Sequence, residues 1–110
     1  MADTSSQDDP AVNVVDDPDE ERFEAYVDGE LAGFAEYQLA QRLFVFTHTE
    51  VEDRFEGQGI GSALARAALD EVRRRGLKAL PLCPFVKTWI DKHPDYRELV
   101  YGARPSRVTD

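Results

Sequence analysis

Three glycines fall within five residues, at Gly57, Gly59 and Gly61, in the run Arg54-Phe55-Glu56-Gly57-Gln58-Gly59-Ile60-Gly61-Ser62. The run joins two segments of different period. The residues before it are β-branched and aromatic, and those after it repeat at helical spacing. Glycines at such a junction let consecutive backbone N–H groups turn inward without Cβ obstruction, at the positive end of a helix. That is an anion site suited to a pyrophosphate; a tight turn alone is the alternative use. A P-loop would end in Gly-Lys-Ser/Thr, and no lysine is present. A Rossmann loop would need a third glycine at Ser62 and an acid about 20 residues on, near Leu82, where none stands. It would also need the strand to run straight into the glycines, whereas residues 52–56 are polar or bulky.

The flanking pattern predicts the architecture. Residues Ala11 to Val15 form a short apolar patch that adds one edge strand. Arg22 to Val27 alternates polar and apolar, the period of a half-buried strand. Asp28-Gly29 is a two-residue hairpin turn, because both positions tolerate positive φ. Glu30 to Leu39 resumes the alternation, with Leu31, Gly33, Ala35 and Tyr37 on one side and Ala32, Phe34 and Leu39 on the other. Ala40-Gln41-Arg42 turns the chain into Leu43 to Val51, the expected central strand. Strands joined by short turns make an antiparallel meander.

Beyond the glycines, Ile60, Ala63, Leu64, Ala67, Ala68 and Val72 lie on one helical face. Asp70 and Arg74 are spaced as an i,i+4 pair. Arg73-Arg74-Arg75 opposes the negative helix end, or else forms an acceptor-binding patch. Gly76 is the expected C′ residue. Leu77 to Leu82 reads as a strand parallel to Leu43–Val51, since a helical crossover precedes it, with pairing weakened at Pro81. Pro84 opens a second helix through Phe85, Val86, Trp89 and Ile90, which His93-Pro94 ends. Asp95 caps a short turn through Leu99 and Val100. Trp89 and Tyr96 read as core anchors.

Composition narrows the function class. Of the net charge of −9, residues 1–20 carry seven carboxylates and no Lys or Arg, leaving 13 basic against 15 acidic groups in the rest. The acidic lead reads as a solubilising tail, residues 1–11, disordered over its first ten residues. One domain is expected over 12–104, with a second tail at 105–110. Phosphate binding to nucleic acid is driven by Lys and Arg, so nucleic-acid affinity is not expected. No apolar run has the roughly 18 residues of a membrane span, and MADTSSQDDP does not look like a secretory signal. A cytoplasmic address is the expectation. One Cys and two His offer no convincing metal set.

The run Arg54-x-x-Gly57-x-Gly59 resembles the pyrophosphate loop of the GNAT superfamily of acyl-CoA-dependent N-acetyltransferases, Gln/Arg-x-x-Gly-x-Gly/Ala. His48-Thr49-Glu50-Val51, the glycine loop, Pro81-Leu82-Cys83-Pro84-Phe85-Val86 and His93-Pro94, in this order over roughly residues 21–101, are similar to a small single-domain GNAT-like family without the usual N-terminal helices. The resemblance implies an α/β (α+β) fold: a mixed sheet made of an antiparallel meander, a helix and a splayed parallel strand, with helices packed on the sheet. It implies that Leu43–Val51 and Leu77–Leu82 splay apart and that coenzyme A, or acetyl-CoA, enters between them. The activity implied is acetyl transfer to an amine acceptor, on a small molecule or a protein. A non-catalytic CoA or acyl-CoA module, or a protein-interaction domain retaining the fold, are the alternatives.

The resemblance also assigns residues. Backbone N–H groups of Gln58, Gly59, Ile60, Gly61 and Ser62 would hold the pyrophosphate, with Gly57 shaping the loop. Arg54 would pair with a CoA phosphate or simply cover the loop. Val51 ends the strand whose backbone holds the pantetheine amides. Cys83 lies where the thioester is expected, and is either a buried small residue or an acyl acceptor, which requires the thiolate. His48 and Glu50, spaced i,i+2, share one side of the strand and are candidates to deprotonate an amine, or a sheet-stabilising pair. His93 is expected at a helix end. Tyr96 is also a candidate proton donor to the leaving thiolate.

Overall fold

The computed structural model describes residues 12–102. The tails expected at 1–11 and 105–110 lie outside them, as do residues 103 and 104 of the expected domain. The chain runs through β1 (Val12–Asp17), β2 (Arg22–Val27), β3 (Glu30–Ala40), β4 (Leu43–Val51), α1 (Ile60–Arg75), β5 (Lys78–Pro81) and α2 (Pro84–Asp91). Short 3-10 segments cover Asp53–Phe55 and Pro94–Leu99. The strands form one sheet in the order β1-β2-β3-β4-β5. The first three pairings are antiparallel and β4–β5 is parallel. The mixed sheet expected from the sequence is therefore present, and α1 and α2 both pack on one of its faces.

Local chemistry accounts for most element boundaries. Asp28 and Gly29 both have positive φ, 52° and 81°, as a tight two-residue hairpin requires. Gly76 ends α1 in the left-handed region, and the Leu77 N–H donates to the Val72 carbonyl at 3.0 Å. Pro84 opens α2 at a position where its missing N–H costs no hydrogen bond. His93, not Asp95, is the cap residue of Pro94–Leu99, and no side chain caps that turn.

Two β-bulges decide which side chains meet the helices. In β3, Ala25 pairs with Gly33 and Tyr26 with Leu31, so Ala32 is the extra residue. Ala32 is buried, and Leu31 joins Phe34 on the outer face. This corrects the simple alternation, which placed Leu31 with Gly33, Ala35 and Tyr37. In β4, Tyr37 pairs with Phe46 and Glu36 with His48, so Thr47 is the extra residue. An unbulged β4 would put Phe44, Phe46, His48 and Glu50 on one face. The bulge instead keeps Phe44 and Phe46 in the core and passes that face on to Thr49 and Val51. His48 and Glu50 turn outward.

The core lies between the inner face and the helices. Phe23, Tyr37, Phe44 and Phe46 form an aromatic layer in which ring centroids are 4.9–6.1 Å apart. Leu64, Leu69 and Val72 of α1, with Val86, Trp89 and Ile90 of α2, cover it. Each such fully buried side chain contributes roughly 1.5–3 kcal/mol. The triple arginine is engaged within the fold. Arg74 pairs with Glu71 and not with Asp70, while Arg75 pairs with Glu71 and Asp16. Arg73 donates to the Asp95 carbonyl at 2.8 Å. Asp70 instead accepts the Tyr96 hydroxyl at 2.9 Å.

On the outer face, Glu24 is only 5 % exposed. It accepts Arg22 Nε and the Tyr26 hydroxyl, both at 2.8 Å. Burial pushes its carboxyl up, but these hydrogen bonds outweigh burial and hold it below the usual carboxylate range.

Candidate coenzyme-binding and transfer site

The β4–β5 pairing covers only Leu43–Phe46 against Lys78–Pro81, although β4 runs on to Val51. The N–H groups of Leu82 and Cys83 both donate to the Phe46 carbonyl at 2.9 Å, which closes the pairing there. Past that point the chain turns into α2. Residues 47–51 of β4 therefore keep β3 on one edge and no strand on the other, among the described residues. This is the splay expected between these two strands. The backbone N–H and C=O groups that point to that edge have no strand to pair with.

The glycine loop sits at the end of that free edge. Its first helical hydrogen bond runs from the Ala63 N–H to the Gly59 carbonyl at 3.0 Å. Helix geometry leaves the N–H groups of Ile60, Gly61 and Ser62 without an i−4 partner. No acidic residue occupies the first turn of α1, so nothing there offsets the positive end of a 16-residue helix. Gly57 and Gly59 have φ of +84° and +79°, which other residues adopt only with strain.

Two loop residues make further contacts of their own. The Gln58 N–H donates to the Phe55 carbonyl at 3.3 Å, a turn bond that already engages it. Gly61 has ordinary helical geometry and is glycine for another reason: a Cβ there would lie 2.7 Å from the Phe85 ring. Phe85 is 41 % exposed and Leu82 is 62 % exposed. These two apolar side chains flank the splay. In sequence Phe85 reads as part of the apolar series of α2 and Leu82 as the end of an apolar strand, so only the fold shows their exposure. Ser62 turns its hydroxyl toward α2, accepting the Trp89 indole N–H at 2.9 Å.

Arg54 donates to Glu30 at 2.6 Å and lies 4.7 Å from the Phe55 ring centroid. Val51 is half-buried on the inner face, opposite Gly33.

The catalytic candidates separate into two places. Cys83 is 4 % exposed, and its thiol donates to the Thr49 hydroxyl at 3.3 Å. His48 Nε2 lies 3.3 Å from Glu50 Oε2 on the opposite face, and both side chains are more than half exposed. The bulge at Thr47 causes this division, since Thr49 alternates with His48 and Glu50 along one strand. His93 stacks on Trp89 at 3.7 Å and ends α2 as expected. Tyr96 is buried. That burial, reinforced by its bond to Asp70, raises its hydroxyl above the usual phenol range.

Beside His48 and Glu50 opens a cavity of about 500 Å³. Leu31, Gly33, Phe34 and Val51 supply its apolar lining, and Glu50, Glu52, Asp53 and Arg54 its charged lining. Among the described residues, no cluster of His, Cys, Asp and Glu is placed to hold a metal ion, and no helix is long and apolar enough to cross a membrane.

Comparison with known proteins converges on one family. Protein NATD1 of Gallus gallus is 38 % identical over 56 residues, covering 51 % of each chain. Its namesake in Xenopus tropicalis is 43 % identical over 47 residues, covering 43 % of each. The match thus spans about half the length of these curated relatives or less. A GCN5-like protein of Staphylococcus aureus shares the fold, with a TM-score of 0.65 at 22 % identity, over 89 % of this chain and 96 % of that one. The ribosomal-protein-S18-alanine N-acetyltransferase of Escherichia coli aligns over 55 % of this chain and 39 % of its own, with a TM-score of 0.52 and 26 % identity. The family described as GCN5-related N-acetyl-transferase matches residues 22–99. With that match running from the start of β2 to the end of the last 3-10 segment, the chain belongs to the GCN5-related N-acetyltransferase family.

Proposed function

We propose that this protein transfers an acetyl group from acetyl-CoA to an amine. The observation that carries the reading is the continuity of two binding elements: the unpaired edge of β4 past Phe46 leads directly to the glycine loop and the free N–H groups opening α1. A pantetheine arm needs amide partners along an extended edge, and a pyrophosphate needs N–H donors at a helix start. The residues present fit both demands.

Gly59, Ile60, Gly61 and Ser62 hold the pyrophosphate through their backbone, and Gly57 sets the approach. The free edge of Thr47–Val51 orients the arm, while Leu82 and Phe85 exclude water from its flank. When bound, acetyl-CoA supplies the acetyl group as a thioester: the amine nitrogen bonds to the acyl carbon, the C–S bond breaks, and the sulfur leaves to take up a proton. In this reading a backbone N–H near Val51 stabilises the negative charge that develops on the carbonyl oxygen.

The amine must first lose a proton, since a free alkylammonium has a pKa of about 10.4. The His48–Glu50 pair accepts it, directly or through water. Burial of Cys83 and its single polar partner, Thr49, support direct transfer over an acyl-cysteine step. That role for His48 and Glu50 requires the acceptor to approach from the outer face.

The test is native mass spectrometry of the purified chain for bound CoA, then thiol release from acetyl-CoA across a panel of amines. CoA binding and amine-dependent release support transfer. Binding with no release from any amine points to a non-catalytic CoA module, and absence of CoA binding removes the proposal.

A further inference from the structure

The cavity on the outer face combines an apolar floor with an unbalanced charge. Its volume, about 500 Å³, is within the range of small-ligand pockets, roughly 300–1,000 Å³. Leu31 joins Phe34 there because the Ala32 bulge turns it outward. Three carboxylates line it, against one guanidinium. That guanidinium, Arg54, is already held by Glu30 at 2.6 Å and rests on Phe55. Glu50 has the His48 imidazole at 3.3 Å, and Glu52 and Asp53 are exposed.

The same face already shows how it seats a cation. The Arg22 guanidinium lies 4.7 Å from the Phe34 ring centroid, and its Nε is 2.8 Å from Glu24. An aromatic ring and a carboxylate thus share one positive charge. The cavity adjoins that ring and brings its own carboxylates.

We propose that this cavity is the acceptor subsite and that its occupant is a linear diamine or polyamine. Phe34 and Leu31 contact the alkyl chain, and Glu52 and Asp53 hold a distal ammonium. Beside Glu50 and His48, the proximal nitrogen gives up its proton. A monoamine has no charge left for the carboxylates once that proton is lost, whereas a diamine keeps one. In the transfer, the proximal nitrogen bonds to the acyl carbon, the thioester C–S bond breaks, and CoA leaves as the thiol. The acceptor role rests on the transfer reading above; the affinity of the cavity for cations does not.

The test uses spermidine as the probe, titrated calorimetrically into the full chain at low ionic strength, with n-butylamine as the monocationic comparison. Spermidine should bind at least about tenfold more tightly than n-butylamine, and added salt should weaken it. The paired substitution Glu52→Gln and Asp53→Asn, isosteric and at exposed positions, should weaken spermidine at least about tenfold with an unchanged melting temperature. Equal affinity for the two amines, no spermidine binding, or full affinity in the paired variant would overturn the subsite. Tighter binding of a lysine peptide than of spermidine would overturn the small-molecule assignment. CoA, titrated in parallel, separates the two ideas. CoA binding without spermidine binding overturns only the subsite. Spermidine binding without CoA binding overturns the transfer reading, and the acceptor role with it.

Discussion

Substitution of Gly59 tests the coenzyme loop with a magnitude the structure supplies. Its φ of +79° lies in the left-handed region, yet an added Cβ would have nothing within 4 Å. Gly59→Ala therefore introduces backbone strain without a clash, about 1–2 kcal/mol. For a domain of this size that lowers the melting temperature by roughly 4–16 °C. Gly59→Glu carries the same strain, so its melting temperature should match that of Gly59→Ala. The difference is electrostatic. A carboxylate about 6 Å from one phosphate charge, at an effective dielectric constant of about 20, costs about 3 kcal/mol. That is about a hundredfold in affinity per phosphate charge. Calorimetric titration of CoA should then show Gly59→Ala weakened by less than about tenfold and Gly59→Glu by a hundredfold or more. Two folded variants with CoA affinities within a factor of about ten of each other would refute the placement of the phosphates at this helix start.

Cys83→Ala should cost about 1 kcal/mol, since it removes a small buried side chain and its contact to Thr49. Amine-dependent thiol release should persist, and intact-mass analysis of the parent after acetyl-CoA should show no acetyl adduct; a stoichiometric adduct at Cys83 would reverse the mechanism. Glu71 accepts hydrogen bonds from Arg74 and Arg75, which outweigh partial burial and lower its pKa to about 2. Its contribution is thus full above pH of about 4.5 and is lost as pH falls toward 2. With Arg74 largely exposed, Glu71→Gln should cost at most about 1 kcal/mol at pH 7 in urea unfolding, a gap that closes near pH 2. Gln41 and Arg42 form a hairpin turn with φ of +43° and +69°. Replacing them with Asn-Gly should stabilise the chain by about 1 kcal/mol, read as a rise in melting temperature of several degrees.

Much of the architecture was legible because its causes are local. Alternation over Arg22–Val27 and the apolar stripe of α1 depend only on side-chain period. Asp28-Gly29 and Gly76 announce their conformations by residue type. Even the parallel β4–β5 pairing follows from a helix lying between the two strands. The same holds for the glycine loop as a candidate anion site, since backbone freedom and the helix start are neighbours in the chain.

Tertiary structure decided what faces what. The spacing of His48 and Glu50 puts them on one side, but not on which side. Pairing with β3 inserts Thr47 as an extra residue, because Phe46 must meet Tyr37 in the core while His48 pairs with Glu36. That one-residue shift separates the His48–Glu50 pair from Cys83. The Ala32 bulge likewise sends Leu31 out to the cavity. Partner choice was equally non-local: Tyr96, 26 residues away, engages Asp70, so Arg74 pairs with Glu71. Gly61 is glycine because Phe85 rests on it, although in sequence it reads as one more residue of the anion loop. A period repeats regardless of what lies across the sheet. Bulges and partners are set by which pairing buries the aromatic layer and leaves fewest polar groups unmatched, and only the assembled sheet and helices contain that comparison.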